Sequence, residues 1–385
     1  MTESSSPSKK ILYLTFARFP SEAAHTVNII KMCQAVKKKG HDLTLVADLR
    51  KKAEDIFDLY SVRHRFETKC IKLIDVRFLG RLLFLMRAFF VVRKERSDLF
   101  YIRDVFNAFL VRTLKRPYVF EIHEAPNTLL RRALMKRVLK NAHLRCAIFI
   151  SEHLKRALEP QFGSFFPEKK WVIAHDGVDL EEFDIQVSKT KARRLLNLPQ
   201  NAFLAGYTGS LFKGRGTTET ILKAASFLKD FLFIIVGGEG TNLASLREKV
   251  SHLHLQNVKV VGFVPHKKIP LYLKSCDVLL MPYQQKVLHR QKKHDTASYM
   301  SPLKMFEYMA SGKPIISSDI DVLREVLTDK DNALLVNPEK TEEWIKALTH
   351  LQKDQKLAEE LGEKARQDVK KYTWDERVRT VFRNI

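Results

Sequence analysis

Apolar and polar positions follow two rhythms along the chain. Short, nearly continuous apolar runs recur at 10–16 (KILYLTF), 42–48, 99–104, 118–123, 147–152 and 171–176. Such runs mark strands buried on both faces. Between most of them the apolar residues fall at helical spacing. Ile29, Met32, Cys33 and Val36 are one example, closed by three lysines and Gly40. Cations in a last turn followed by glycine end a helix. The stretch between 48 and 99 reads as irregular. Residues 186–200 (QVSKTKARRLLNLPQ) are polar and basic and read as a linker with a short helix. A second series of apolar runs follows at 203–208, 231–238, 258–263, 277–283, 314–319 and 333–337, with helical patterns at 217–229 and 341–352. The end of the chain, 356–382, reads as helical throughout. Two series of alternating strands and helices predict an α/β protein with two doubly wound, Rossmann-like domains. Their predicted bounds are 1–185 and 186–372, with a cleft between them.

Ligands of open α/β sheets bind at the carboxyl ends of strands. The residues to inspect are therefore Arg103-Asp104, His123-Glu124, Ser151-Glu152, His175-Asp176, Gly209 to Gly216, Gly237-Gly238 and the loop before Pro302.

Composition adds one anomaly. The 385 residues are 45% hydrophobic and 29% charged, ordinary for a folded chain, but basic residues outnumber acidic ones 67 to 44, a formal charge of +23. Such a surface favours an anionic partner: nucleic acid, an acidic membrane face or a phosphorylated substrate. The four cysteines, Cys33, Cys70, Cys146 and Cys276, form no CxxC pair. They fit reduced thiols in a cytoplasmic protein and argue against a zinc site. The polar start MTESSSPSKK is no secretory signal, and no run of about 18 apolar residues marks a membrane span.

The stretch SPLKMFEYMASGKP (301–314) holds the most chemistry. Ser301 suits a helix cap and Pro302 a first turn. The amides after Pro302, the helix dipole and the Lys304 charge together make an anion site. Glu307 shares the face of Leu303 and Lys304, one turn on, where a carboxylate can accept from a pair of sugar hydroxyls. The same spacing also fits a plain Lys304–Glu307 ion pair on an exposed face.

This stretch, read on to Asp319, resembles the donor-site signature of the retaining family-four glycosyltransferases with the GT-B fold. The resemblance runs through ILYLTFARFPSEAAHTVNIIKMCQAV, FEIHEAP (120–126), WVIAHDGVDLEEF (171–183), YTGSLFKGRG (207–216) and YTWDERV (372–378). It implies that the chain moves a sugar from a nucleoside-diphosphate sugar to an acceptor, without metal or other cofactor. UDP-sugar is the favoured donor, GDP- and ADP-sugars the alternatives. By the same resemblance Glu307 holds the ribose, and the backbone at Pro302, Leu303 and Lys304 holds the diphosphate. His123 is implied as the active-site histidine, Phe263 and Val264 as flanking the base, and the final helix, 373–385, as packing back on the first domain. Lys213 and Arg215, in a glycine-rich turn after a strand, suit phosphate oxygens. Apart from the resemblance, His123 also reads as an ordinary strand-end histidine bonded to backbone, and the two cations as a solvated turn.

Two positions depart from the family pattern. The basic residue usual after the first glycine of the loop is Ser210 here, a charge that Lys213 is expected to replace. The first of the family's two glutamates, which contacts the donor sugar, is Tyr299, a neutral phenol. Asp295 or His294 is the expected substitute.

The segment 129–140 (LLRRALMKRVLK) has five basic residues and no acid, and residues 81–96 mix five more with Leu, Phe and Val. Both point to peripheral association with an anionic membrane and a glycan or lipid-linked acceptor. Ordinary amphipathic helices with solvated outer faces account for them equally. Two other functions fit less of the sequence. A sugar-nucleotide epimerase would use the same scaffold without an acceptor. A nucleic-acid-binding protein fits the charge, but no binding motif supports it.

Overall fold

The computed structural model describes residues 7–21, 23–166, 171–289, 292–383 and 385. The chain forms two compact units, 1–177 with 374–385, and 178–373.

The first unit is built on seven strands: β1 (Lys10–Phe19), β2 (Asp42–Leu49), β3 (Glu67–Cys70), β4 (Leu99–Ile102), β5 (Tyr118–Ile122), β6 (Leu144–Phe149) and β7 (Trp171–Ile173). All pair in parallel, in the order β3-β2-β1-β4-β5-β6-β7. Ile11, Leu12, Tyr13 and Leu14 are buried, as helices on both faces of a parallel sheet require. The strand order reverses between β1 and β4, which puts the residues after β4 and β5 at a topological switch.

The second unit holds β8 (Phe203–Thr208), β9 (Phe231–Val236), β10 (Val258–Gly262), β11 (Val278–Met281), β12 (Leu288–His289), β13 (Lys292–Asp295), β14 (Ile315–Ser318) and β15 (Leu334–Val336). Six of them form a parallel sheet in the order β10-β9-β8-β11-β14-β15. β12 and β13 pair as a separate antiparallel hairpin. Here the switch lies between β8 and β11.

The structure departs from the sequence reading in four places. First, the units divide at Gly177/Val178 rather than at 185/186. Val178 and Phe183 join the core around Met305 and Phe306, and the Val178 amide donates to Tyr372 O at 3.0 Å. Second, the stretch read as irregular contains β3 and a long helix, Arg77–Lys94. Third, the C-terminal stretch is not one helix. It is two, Gln355–Asp368 and Trp374–Phe382, parted by a 3-10 turn and an extended Thr373. The second belongs to the first unit, where Trp374, Val378 and Val381 are buried, His41 stacks on Phe382 and Lys38 pairs with Asp375 at 2.7 Å.

Fourth, 186–200 is not a free linker. Its helix, Lys189–Leu195, carries Arg193 into the second unit at 2% exposure. The guanidinium donates to Ser275 O at 3.0 Å, Gln200 O at 2.6 Å and Ala202 O at 3.0 Å, and pairs with Asp277 at 2.6 Å. A guanidinium with this many donors is the group that can satisfy three carbonyls and a carboxylate at once. Removing one partner of a buried ion pair strands the other. Arg193→Ala is therefore expected to cost about 3–5 kcal/mol in chemical denaturation; a loss under about 1 kcal/mol would restore the linker reading.

Candidate functional site

In the second unit the loop after β8 runs from Gly209 to Gly216. Gly209 has φ +137°, a conformation open to glycine, and a Cβ there would lie 2.6 Å from the Lys304 ammonium nitrogen. Gly216, at φ +76°, leaves no room for a side chain against Pro282 O. The loop is thus pressed against the segment after β11 on one side and Lys304 on the other. The Tyr207 hydroxyl donates to Ser210 O at 2.7 Å and fixes its first turn.

Lys304 comes from the helix Leu303–Ser311. Met305, Phe306, Tyr308 and Met309 bury one side of it, Tyr308 OH accepts the Thr208 amide at 2.7 Å, and Gly312, at φ +67°, ends it as the sequence indicates. The start differs from expectation. Pro302 occupies the cap position, with ψ 123°, and no side chain caps the helix; Ser301, which was expected to, precedes it. Proline's fixed φ and missing N–H suit that place.

The Lys304 ammonium is buried, without a hydrogen-bond partner, 3.8 Å from the Tyr207 ring centre and 5.3 Å from that of Tyr283. Arg215 lies 5.1 Å over the same Tyr283 ring, and its Nε is also buried without a partner. Burial first, and the Arg215 charge second, push the Lys304 pKa well below the usual lysine range, against the pull of Glu307. Two basic side chains over aromatic faces, Lys304 and Arg215, form a pocket suited to an anion. Lys213, expected to replace the charge missing at Ser210, is exposed. It lines a cavity of about 700 Å³ with Phe212, Glu239, Thr241, Asn242 and Leu288. The cation beside Gly209 is Lys304.

Glu307 is not the lysine's ion-pair partner on an exposed face. Its carboxylate meets His266 Nε2 at 2.8 Å, and His266 Nδ1 lies 3.9 Å from Glu182. Sequence reading passed over His266, although it stands three residues beyond Phe263. Phe263 itself is 47% exposed at the end of β10, while Val264 packs against the core at Leu204 and Val236. Tyr299 is buried in the turn before the helix. Asp295, the expected substitute for the missing glutamate, uses Oδ1 to accept the amides of Val287 at 2.8 Å and Ala297 at 2.9 Å, so it closes the loop. The His294 side chain lies outside the described residues.

In the first unit His123 follows β5 and bonds to side chains, not to backbone. Arg103 approaches its Nδ1 at 3.1 Å and Glu121 takes its Nε2. A guanidinium can only donate, so Nδ1 accepts and the proton sits on Nε2, facing Glu121. Both ring nitrogens are engaged. Burial first, and Arg103 second, lower the His123 pKa, against the pull of Glu121. Glu121 is fully buried, which opposes its charge, but Arg377, His123 and Arg103 hold its pKa well below the carboxylate range. Arg377, from the C-terminal helix, pairs with Glu121 at 3.1 Å and donates to the carbonyls of Ala174 and His175. Arg103 also donates to Asn28 at 2.7 Å, and Asn28 to Asp176.

Comparison with known proteins gives a consistent picture. Residues 188–368 match the family model described as glycosyl transferases group 1, and residues 26–182 that of glycosyltransferase family 4. The D-inositol 3-phosphate glycosyltransferase of Corynebacterium urealyticum is 23% identical over 72% of this chain and 64% of its own length. The chain spans about half the length of the curated relatives it matches, from 44% to 64% for three of them. Among solved structures, HepE of Anabaena, in complex with UDP and glucose, superposes with a TM-score of 0.76 at 15% identity, covering 98% of this chain and 100% of that one. Sucrose-phosphate synthase from Thermosynechococcus elongatus gives 0.76 at 17% identity, covering 97% and 98%. At these identities the likeness is one of fold, two Rossmann-like units of the GT-B type.

Two outcomes test the geometry without any ligand. Lys304→Met removes a buried basic group that has no hydrogen-bond partner, so it should leave the unfolding free energy in chemical denaturation unchanged or raise it, by on the order of 1–2 kcal/mol; a clear loss of stability would mean the ammonium holds the fold together. His123 is buried neutral. A lowered folded pKa makes its contribution complete above the unfolded value and lost as pH falls through the folded one. Melting curves between pH 7 and 5 should therefore fall less steeply for His123→Asn than for the wild type, and equal slopes would refute the assignment.

Proposed function

The chain belongs to the group 1, family 4 glycosyltransferases, and from that premise we propose that it moves a hexosyl group from a UDP-sugar to a glycan or lipid-linked acceptor, with retention and without a metal ion. The observation that carries the reading is the Lys304 ammonium, buried beside Gly209 with no partner and with Arg215 converging on the same tyrosine. Such a pocket wants about two negative charges at hydrogen-bonding distance, and a diphosphate supplies them. Departure of a nucleoside diphosphate builds charge on those oxygens as the sugar carbon becomes cationic. Cations already in place stabilise that state without reorganising. Lys304 and Arg215 thus do for the leaving group what a metal ion does in other transferases. The first amides of the 303–311 helix, which have no partner within the helix, add to the same site.

Glu307, one turn from Lys304, accepts from the ribose hydroxyls, and His266 shares and orients its carboxylate. Phe263 and Val264 flank the base. Ser210 is left to hydrogen bonding, with the charge of its place supplied by Lys304. Tyr299 replaces a carboxylate on the sugar side, so the sugar is held there by a neutral hydroxyl. His123 serves the sugar or acceptor as the resemblance implies; its use needs Arg103 or Glu121 to release a ring nitrogen. Support for UDP comes from HepE, which was solved with UDP, with UDP and glucose, and with UDP-glucose.

A thermal-shift panel of UDP, GDP and ADP tests this. A ligand at a hundredfold excess over Kd should stabilise the folded state by about 2.7 kcal/mol. UDP is expected to give the largest shift. Lys304→Met should abolish it, and Glu307→Ala should weaken it while leaving the apo melting curve cooperative. No shift with any of the three nucleotides would overturn the reading.

A further inference from the structure

The helix Arg77–Lys94 is amphipathic in an unusual sense. Phe84, Ala88 and Val92, four residues apart, are fully buried against the first unit. On its other side Leu79, Leu82, Met86 and Phe90 recur at intervals of three and four and stand 51%, 55%, 47% and 68% exposed. Large apolar side chains scattered singly on a surface need no explanation, but a stripe along one helix face does. The stripe is flanked by exposed Arg81, Arg87, Arg93 and Lys94, and the helix sequence contains no acidic residue. Arg116 donates to Arg93 O at 3.2 Å and Arg112 to Arg137 O at 3.0 Å. These contacts tie the helix Leu129–Leu139 into the same layer, through the helix Val105–Thr113 that lies between. That neighbour exposes Leu129 at 82% and Leu130 at 60%, with Arg132, Lys136 and Arg137 also exposed.

We infer that this helix layer is a docking surface for an anionic lipid bilayer, with the Leu79–Leu82–Met86–Phe90 stripe lying among the acyl chains and the flanking cations at the headgroups. No helix among the described residues is long and apolar enough to cross a membrane, so the mode is interfacial. An apolar face with cationic flanks is the pattern that lies in a membrane interface, and its affinity combines buried apolar area with attraction to acidic lipid. A second copy of the chain fits the stripe less well. A two-fold contact would set the same arginines against one another with no acid on the helix to pair them. The inference needs neither donor nor acceptor, so it stands or falls apart from sugar transfer.

Flotation of the full chain with vesicles is the test. Binding is expected to phosphatidylcholine vesicles containing phosphatidylglycerol and to fall steeply with salt, with little binding to phosphatidylcholine alone. Leu82→Glu/Phe90→Glu, both at exposed positions, should reduce partitioning more than tenfold while circular dichroism and melting stay as in the wild type. Arg87→Gln/Arg93→Gln should reduce it by roughly fivefold per charge removed. The proposal is overturned by absent or charge-independent binding of the wild type, by unchanged binding of the folded double-glutamate variant, or by a solution dimer that Phe90→Glu dissociates.

Discussion

One lysine ammonium sets the terms for the second unit. Lys304 is buried with no hydrogen-bond partner, against the faces of Tyr207 and Tyr283, and Arg215 shares the second ring. Desolvating a cation is costly, and a second cation nearby adds to the cost. The local architecture holds the arrangement in place from several sides. Tyr308 ties the helix to the end of β8 through Thr208, Gly209 and Gly216 let the loop close on the lysine and on Pro282, and the Tyr207 hydroxyl fixes Ser210 O. Each device is local and cheap. Together they keep two basic groups side by side with few partners in the empty protein, and the proposed anion site rests on that pre-organisation.

The first unit solves the opposite problem. Its buried charges are paired: Glu121 with Arg377 and His123, Asp176 with Asn28, Arg103 with Asn28 and His123. The C-terminal helix therefore does more than cover apolar surface. It delivers the guanidinium that keeps Glu121 ionised, and an ionised Glu121 keeps the His123 proton on Nε2. A change in how that helix seats would reach His123 through two hydrogen-bonded groups.

Much of the fold is legible in the sequence because strands buried on both faces leave continuous apolar runs, and each of the six runs in each series corresponds to a strand. β3 is lost because ETKC is a polar edge strand, exposed or half-exposed along its length. The 77–94 helix shows in the sequence only as the basic, apolar segment 81–96, because large apolar residues lie on its exposed side as well as its buried one and blur the periodicity. Ser301 looked like the cap because proline is usual one position later; here the proline takes the cap itself. The motif residues lie after strands and on the 303–311 helix, but their partners were not readable. Lys304 with Tyr207, His266 with Glu307 and Glu121 with Arg377 are pairs far apart in the chain, and no local rule connects them.

The two departures from the family pattern take on meaning together. In the proposed site Ser210 would remove a positive charge from the phosphate side and Tyr299 a negative one from the sugar side. Lys304, reaching in from the helix, returns the positive charge to within contact of Gly209, while Asp295, spent on two backbone amides, returns nothing to Tyr299. The proposed site therefore keeps two basic groups, Lys304 and Arg215, against one carboxylate, Glu307. In the proposed reaction that balance strengthens the hold on the leaving diphosphate and weakens the hold on sugar hydroxyls. A neutral phenol makes hydrogen bonds about half as strong as a carboxylate's, so discrimination among donor sugars has to come from shape more than from charge.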